Sequence, residues 1–258
     1  SAMIPLRTIS RKSQEVKGLL DLLLELKKLR RRPAILLMPL ASVVMPVISL
    51  AYFSTHRYVL TDSMVYKQAI FSFNIFLILP ALLGIFSAMV SYGERANNVL
   101  NQLWIVPVGR GAFLFSKWFI TFVFALAFML LSELFTLGFG LLFRLLTFDP
   151  PLIGFFLWKG VEAAVVLALS NLPILALALL SKGYLLPCCA AIVYAFCGFI
   201  FASTSPYIVP SASAIFYIEH NLPDVYFPQP YNPFAIFLCF AVWILLSVLS
   251  AVKGMKRG

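Results

Sequence analysis

Six long apolar segments constrain this chain more than any other feature of its sequence. We predict membrane spans over residues 34–54, 69–92, 114–143, 153–180, 184–203 and 233–252. Apolar segments of about 20 residues match the thickness of the hydrocarbon core, where only helices and closed barrels can satisfy the backbone. Hydrophobic residues make up 62% and charged residues 12% of the chain, against about 45–50% and about 25% in soluble domains. The sequence therefore predicts an all-α, polytopic membrane protein with six transmembrane helices.

The positive charges are distributed unequally between the two sides of the membrane. Sixteen of the 20 Lys and Arg residues fall on the side that holds both termini, whereas the opposite side holds only Arg57, Lys67, Arg144 and Lys159. Because short cytoplasmic loops carry an excess of Lys and Arg, we predict a plasma-membrane protein with both termini in the cytoplasm. The net charge of +10 is then explained by contact with anionic lipid, so we expect the bilayer as a partner and no nucleic acid.

The residues before the first span are predicted to form a cytoplasmic segment, residues 1–33, with an amphipathic helix in the membrane interface. Its polar residues recur at spacings of four and three, and leucines cover the rest of its circumference; the polar residues are Lys17, Asp21, Glu25, Lys28 and Arg32. Such a helix lies in the headgroup plane or packs on a partner protein, and both are compatible with the pattern. The six-span domain then covers residues 34–253, and residues 254–258 form a cytoplasmic tail.

The longest loop on the outer side, residues 203–233, contains many Pro and aromatic residues and no Lys or Arg. We expect it to fold back against the membrane surface or to re-enter the membrane in part. Backbone without regular structure is tolerated at that depth only where protein shields it from lipid.

A short polar segment interrupts the apolar sequence between the second and third spans. One helical face would carry Glu94, Asn97, Asn98, Asn101 and Gln102, and the opposite face Ala96, Val99, Leu100, Leu103 and Trp104. Glu94 stands in the first turn, where the helix dipole favours an acidic residue, and Pro107 ends the helix. We predict a cytoplasmic amphipathic helix, which either docks on a partner or rests on the membrane.

The residues of this segment resemble the signature of type-2 ABC exporter permeases. The resemblance is carried by Glu94-Arg95, Leu103, Pro107-Val108, Gly109-Arg110 and Ser116-Lys117, together with the six-span layout. Chain length and layout are similar to the subgroup linked to bacitracin and lantibiotic self-protection. The sequence departs from the family pattern at Ala96, where many relatives have a second acidic residue, and at Asn97-Asn98, which replace Gly-Thr.

The resemblance implies a coupling helix over Glu94–Trp104 that docks into a groove of a separate ABC ATPase subunit. The residues implied in this contact are Glu94, Arg95, Asn98, Leu100, Asn101, Leu103, Trp104, Pro107 and Arg110. It further implies a second permease subunit, identical or different. This chain is expected to bind no cofactor, with ATP and Mg on the partner subunit.

Motifs of catalysis are missing from the chain. It contains no G-x-x-x-x-G-K-[ST] phosphate loop, no G-x-S-x-G and no H-E-x-x-H, and its two histidines, His56 and His220, lie outside the predicted spans. We therefore expect no catalytic residue, no metal site and no enzyme activity in this chain. ATP hydrolysis would belong to another polypeptide.

Polar residues inside the predicted spans are candidate sites. Glu133 interrupts the third span, where an acidic residue costs about 2.5–3.5 kcal/mol on insertion scales. It either lines the translocation path or forms a hydrogen-bonded strut with Ser132, Asn74 or Asn171. Asn74 and Asn171 themselves either line the path or make ordinary interhelical hydrogen bonds.

Two other sequence features inside the spans have local interpretations. Glu162 follows Lys159 by three residues, so the two form a local ion pair or contact cargo. Pro80, Pro173 and Pro187 are expected to kink their spans, because proline lacks the N–H that a helix interior uses.

These observations predict the membrane subunit of an ATP-driven exporter that moves an amphiphilic or peptide-like cargo outward. The subgroup suggests an antimicrobial peptide, exported for self-protection. The alternative is a stand-alone ion-coupled transporter or channel in which Glu133 carries a proton. A membrane enzyme or insertase is the third class, and the scarcity of paired carboxylates and histidines argues against it.

Overall fold

The computed structural model describes residues 38–55, 61–96, 110–223 and 229–254, and within these the chain forms helices and no strand. We number the helices in chain order; α2 joins four consecutive segments, two of them with wide π-helical turns. The helices are α1 (Met38–Thr55), α2 (Asp62–Tyr66, Lys67–Phe71, Asn74–Ile78 and Leu79–Ala96), α3 (Arg110–Leu142), α4 (Pro150–Ser170), α5 (Leu172–Leu180), α6 (Leu185–Thr204), α7 (Pro210–His220) and α8 (Pro233–Gly254).

Six of these helices, α1, α2, α3, α4, α6 and α8, are long and apolar enough to cross a membrane, which confirms the predicted six-span, all-α fold. We call the side that holds residues 97–109 the inner side and the opposite side the outer side; the charge distribution predicts that the inner side is cytoplasmic. The predicted interfacial helix of residues 1–33 and most of the predicted coupling helix lie outside the described residues.

The fourth predicted span, residues 153–180, consists of two helices, and the break between them lies next to Pro173, one of the prolines expected to kink a span. α4 ends at Ser170, Asn171 has φ −80 and ψ −5, and the short helix α5 begins at Leu172. Pro173 stands in the first turn of α5, where its missing N–H removes a bond that a continuous helix would need. The second span also starts earlier than predicted, at Asp62, because its polar first turns lie at the outer end of the bundle.

The outer loop re-enters the bundle, one of the two arrangements expected from its composition. The Trp243 indole N–H donates to the carbonyl of Ile208 at 3.0 Å, and Trp243 lies ten residues, roughly 15 Å, inside α8. From there α7 runs back outward, with nearly every residue from Pro210 to Glu219 buried. Its shielding by α4, α6 and α8 meets the condition for backbone at this depth.

Two hydrophobic clusters hold the bundle together. The larger one, here the main core, joins α2, α3, α4 and α7, with further residues from α1 and α6. It includes Phe86, which stacks on Phe124 at a centroid distance of 4.4 Å. The smaller one, here the inner core, joins α3, α5 and α8 near the inner side. Its buried members are Leu114, Leu172, Leu175, Ala176, Leu179 and Ala251.

Glycines permit the closest helix contacts, as is usual where lipid offers no hydrophobic driving force between helices. A Cβ on Gly84 of α2 would clash with Ala191 of α6, and a Cβ on Gly198 of α6 would lie 2.6 Å from Ser211 Oγ of α7. The re-entrant helix α7 therefore depends on a bare backbone at Gly198.

We expect Gly198→Ala to lower the stability of the protein by about 1–3 kcal/mol, because the added methyl overpacks the contact between α6 and α7. Thermal unfolding in detergent measures the change. Gly138→Ala in α3 is the matched control, because nothing lies within 4 Å of a Cβ built there. Equal melting temperatures for the two variants would show that α7 does not pack on Gly198.

Candidate functional site

Six buried polar side chains, from α2, α3 and the end of α4, lie in two layers of the bundle. The outer layer contains Asn74, Ser132 and Glu133, and Glu133 lies nine residues, roughly 14 Å, from the outer end of α3. The inner layer contains Ser87, Thr121 and Asn171. Each of these six side chains is at most 2% exposed, so each needs a partner within the protein.

Glu133 is the acidic residue of the outer layer, and it faces the backbone of α4. A Cβ on Gly160 would clash with Glu133 Oε1, so the carboxyl group occupies the space that a larger residue at position 160 would fill. Neither carboxyl oxygen has a hydrogen-bond partner among the described residues. A buried carboxyl group without a partner is costly in hydrocarbon, and both interpretations of Glu133, as a path-lining group and as a structural one, stay predictions.

The hydrogen-bonded strut expected for Glu133 is not found among the described residues. Asn74 Nδ2 donates instead to Ser132 Oγ at 2.9 Å and to the carbonyl of Ile70 at 3.1 Å. Adjacent residues of a helix point about 100° apart, so Ser132 reaches α2 while Glu133 reaches α4. For Asn74, the structure shows the interhelical hydrogen bond.

Asn171 likewise makes an interhelical hydrogen bond. Its Nδ2 donates to Ser87 Oγ at 2.9 Å and to the carbonyl of Leu83 at 3.3 Å, both on α2. The Ser87 hydroxyl lies 3.5 Å from Thr121 Oγ1 on α3. The inner layer therefore joins three helices at the point where α4 ends.

Glu162 forms the local ion pair, with Lys159 Nζ at 2.7 Å from its Oε2. A further bond was not expected from the sequence: the Tyr217 hydroxyl of α7 donates to Glu162 Oε1 at 2.7 Å. This bond to a carboxylate, followed by burial, raises the pKa of Tyr217 to about 12. Glu162 thus ties the outer end of α7 to α4.

Two buried charged residues were not singled out as sites from the sequence. Lys117 is 1% exposed near the inner end of α3, with its Nζ 5.2 Å from the centroid of the Phe113 ring. Glu219 is 5% exposed on α7, and burial raises its pKa to about 7 although Lys67 opposes the shift. The burial of Lys117 follows from its position inside the long helix α3, and the burial of Glu219 follows from the re-entry of α7. Neither is visible as a local pattern in the sequence.

A cavity of about 380 Å³ opens between α2 and α6. Its walls are mainly apolar, and two hydroxyl groups stand at its outer end, where α6 finishes. It is lined by Phe76, Phe199, Ile200, Ala202, Ser203 and Thr204. The sequence could not reveal it, because it depends on the packing of two helices more than 100 residues apart.

Most residues of the predicted coupling helix lie outside the described residues, namely Asn98, Leu100, Asn101, Leu103, Trp104 and Pro107. The backbone of Glu94 and Arg95 belongs to the last turn of α2, and Arg110 begins α3. The segment therefore connects two spans at the inner side. Among the described residues, no group of three or more His, Cys, Asp or Glu could hold a metal ion.

A family model described as an ABC-2 family transporter protein matches residues 22–198, which is more than half of the 258 residues. The matched region includes four of the six membrane-crossing helices completely, most of α6, and residues 97–109. No curated protein matches the chain.

We expect Glu133→Gln to leave stability within about 1 kcal/mol of the wild type and to lower transport. The substitution keeps the shape of the side chain and removes no hydrogen bond to a described residue, but it removes the ability to carry a charge. Stability is measured by thermal unfolding, and transport in proteoliposomes.

Glu162→Gln is the matched control for that variant, because the same chemical change there weakens two bonds of 2.7 Å to Lys159 and Tyr217. Its expected cost is about 1.5–3 kcal/mol of stability, the range for hydrogen bonds to charged groups. If Glu133→Gln lost stability to the same extent, Glu133 would be structural.

Stability should decrease as pH rises from 4.5, the ordinary pKa of Glu219, to its value of about 7 in the fold. The folded state keeps the proton over this interval whereas the unfolded state releases it, so unfolding becomes more favourable and then levels off above about 7. The shift corresponds to about 3 kcal/mol at most.

Glu219→Gln should remove this contribution to the pH dependence, which SDS titrations of micellar protein at a series of pH values can measure. Because other groups titrate equally in both proteins, the difference between wild type and variant isolates Glu219. Parallel pH profiles would contradict the assignment.

Proposed function

Because the chain belongs to the ABC-2 family of transporter proteins, we propose that it is the permease subunit of an ATP-driven exporter. The family match over residues 22–198 is the observation that carries this proposal. This match agrees with the multi-pass helical fold. In this proposal the chain carries out transport, and ATP hydrolysis belongs to another subunit. Proteins of this family normally work with an ATPase subunit in the membrane.

In this proposal, residues 94–104 form a coupling helix that binds the ATPase subunit. Two features support this role: the segment joins the inner ends of α2 and α3, and its sequence has one polar and one apolar face. Closure of two ATPase subunits on ATP would move a pair of such helices, one from each of two permease subunits, identical or different. The attached spans would then open toward the outer side as near-rigid bodies.

The cargo of this exporter would be amphiphilic or peptide-like. The cavity between α2 and α6 supports this class, because apolar walls next to Ser203 and Thr204 suit a molecule with an apolar part and a polar end. An antimicrobial peptide, exported for self-protection, is the candidate that the sequence resemblance suggests. Sensitivity of cells with and without the gene to bacitracin and lantibiotics tests this point.

A stand-alone, ion-coupled transporter is the rival function. The carboxyl group of Glu133, for which the described part of the chain offers no hydrogen-bond partner, is the observation that favours it. Transport by proteoliposomes that contain this chain without any ATPase would support the rival, and an absolute requirement for ATP would exclude it.

We expect the double substitution Glu94→Lys and Leu103→Asp to uncouple ATP hydrolysis from transport while the protein still inserts. The changes reverse a charge and place an acidic group on the apolar face of the predicted helix. Since coupling free energies are typically 1–3 kcal/mol, transport per ATP should fall about 5-fold to 150-fold. Hydrolysis and transport are measured together in proteoliposomes with the copurified ATPase subunit.

The control is Lys182→Glu, which reverses a charge in the other short inner connection, between α5 and α6. It should leave coupling unchanged. Cross-linking from cysteines placed at Asn98 and Asn101 provides an independent test. If neither position captured an ATP-hydrolysing subunit in intact cells, the coupling role would be wrong.

A further inference from the structure

We propose that Asn171 is the hinge of this permease, about which the inner helix α5 swings relative to α4. The inference goes beyond the proposed function, since it concerns a motion within this chain. It rests on the interrupted backbone at Asn171, on three side chains that bind this interruption from other helices, and on the division of the hydrophobic core close to the same residue.

The helix is interrupted next to a position where one bond of a continuous helix cannot form. Pro173 has no N–H to donate to the carbonyl of Leu169, four residues before it. Asn171 closes α4 by donating its N–H to the carbonyl of Leu167 at 3.1 Å, and its own carbonyl accepts the N–H of Leu175 at 3.0 Å. One residue therefore ends one helix and starts the next.

Side chains from other helices bind the backbone on the α4 side of this interruption. The Tyr194 hydroxyl of α6 donates to the carbonyl of Ser170 at 2.5 Å, and the Trp118 indole of α3 donates to that of Ala168 at 3.2 Å. With Asn171 bound to Ser87 of α2, three helices hold one turn. In hydrocarbon such bonds replace those that water would make, so the turn can bend without exposing unsatisfied carbonyls.

The hydrophobic core divides within two residues of Asn171, since Leu169 of α4 already packs against the inner core. On the α4 side, Phe156, Ala164 and Leu167 belong to the main core. On the α5 side, the buried members of a cluster all belong to the inner core. α4 and α5 therefore pack mainly in different clusters, although the continuous helix α3 contributes to both, and helices packed in different clusters can shift relative to each other by small sliding motions.

The helix α5 and the inner core around it are connected to residues 97–109, the segment that an ATPase would move. α5 packs on α2, whose helix leads into residues 97–109, and on Leu114, which follows those residues on α3. It also packs on α8 through the inner core. A displacement at residues 97–109 would therefore reach α5 directly, and Asn171 would convert it into a change of angle between α5 and α4.

The experiment measures the distance between spin labels on either side of the hinge. Labels at Trp158 of α4 and Leu180 of α5, both exposed, are 22 residues apart, roughly 33 Å along a helix. The four native cysteines are first replaced by alanine, and the chain is placed in lipid nanodiscs without an ATPase. We expect two distance populations in this background.

Pro173→Ala should abolish the second population, because the restored N–H can close the helix. Tyr194→Phe should broaden the distribution, because the carbonyl of Ser170 loses its partner. Pro151→Ala is the matched control, since Pro151 stands in the first turn of α4, where no helical bond is missing. A second label pair, at Trp158 of α4 and Leu142 at the outer end of α3, should keep one distance in every variant, because both positions lie on the outer side of the hinge.

A single narrow distance in the unmodified background would overturn the hinge, and so would distributions that Pro173→Ala leaves unchanged. Because the measurement uses the permease alone, its failure would leave the coupling proposal standing. Conversely, failure of cross-linking at residues 94–104 would leave the hinge intact. If Pro173→Ala abolished the second population, transport by that variant should fall while its melting temperature stays equal or rises.

Discussion

The absence of water from the hydrocarbon core is the constraint on which this structure depends. Every backbone group that leaves a regular helix must find a partner within the protein. Asn74 donates to the carbonyls of Ala69 and Ile70 in the wide turns of α2, and Gln229 donates to those of Ser203 and Thr204 at the end of α6. Side chains thus supply hydrogen bonds to backbone carbonyls at irregular points of the fold.

The same constraint distinguishes the buried carboxyl groups by the partners that each of them finds. Glu162 has two partners at 2.7 Å and joins two helices, whereas Glu133 faces the backbone of Gly160 without a described hydrogen bond. Two acidic residues in the same bundle therefore have different surroundings: Glu162 is bonded on two sides and joins α4 to α7, whereas Glu133 packs against bare backbone. The irregular backbone at Asn171 has an equally specific place, between the main core and the inner core.

Much of the fold could be predicted, because the length and polarity of a span are local properties. The number of spans followed from hydropathy, and the pair of Lys159 and Glu162 followed from a spacing of three. The partner of Asn74 could not be predicted, since Ser132 and Glu133 are adjacent in sequence and only the rotation of α3 decides which of them faces α2. Proline chemistry predicted a kink at Pro173, but the separation into α4 and α5 could not be predicted, because a kinked helix and two separate helices share the same apolar run.

The sequence by itself determined the class of the protein, a six-span helical bundle of the ABC-2 family. The length of each apolar segment and the composition of the short polar segment are local properties of consecutive residues. Tertiary structure alone decided that α7 re-enters the bundle, that Lys117 and Glu219 are buried, and that the core divides close to Asn171. These features depend on contacts between helices far apart in the chain. Such contacts are set by close packing and by backbone groups that must be satisfied without water.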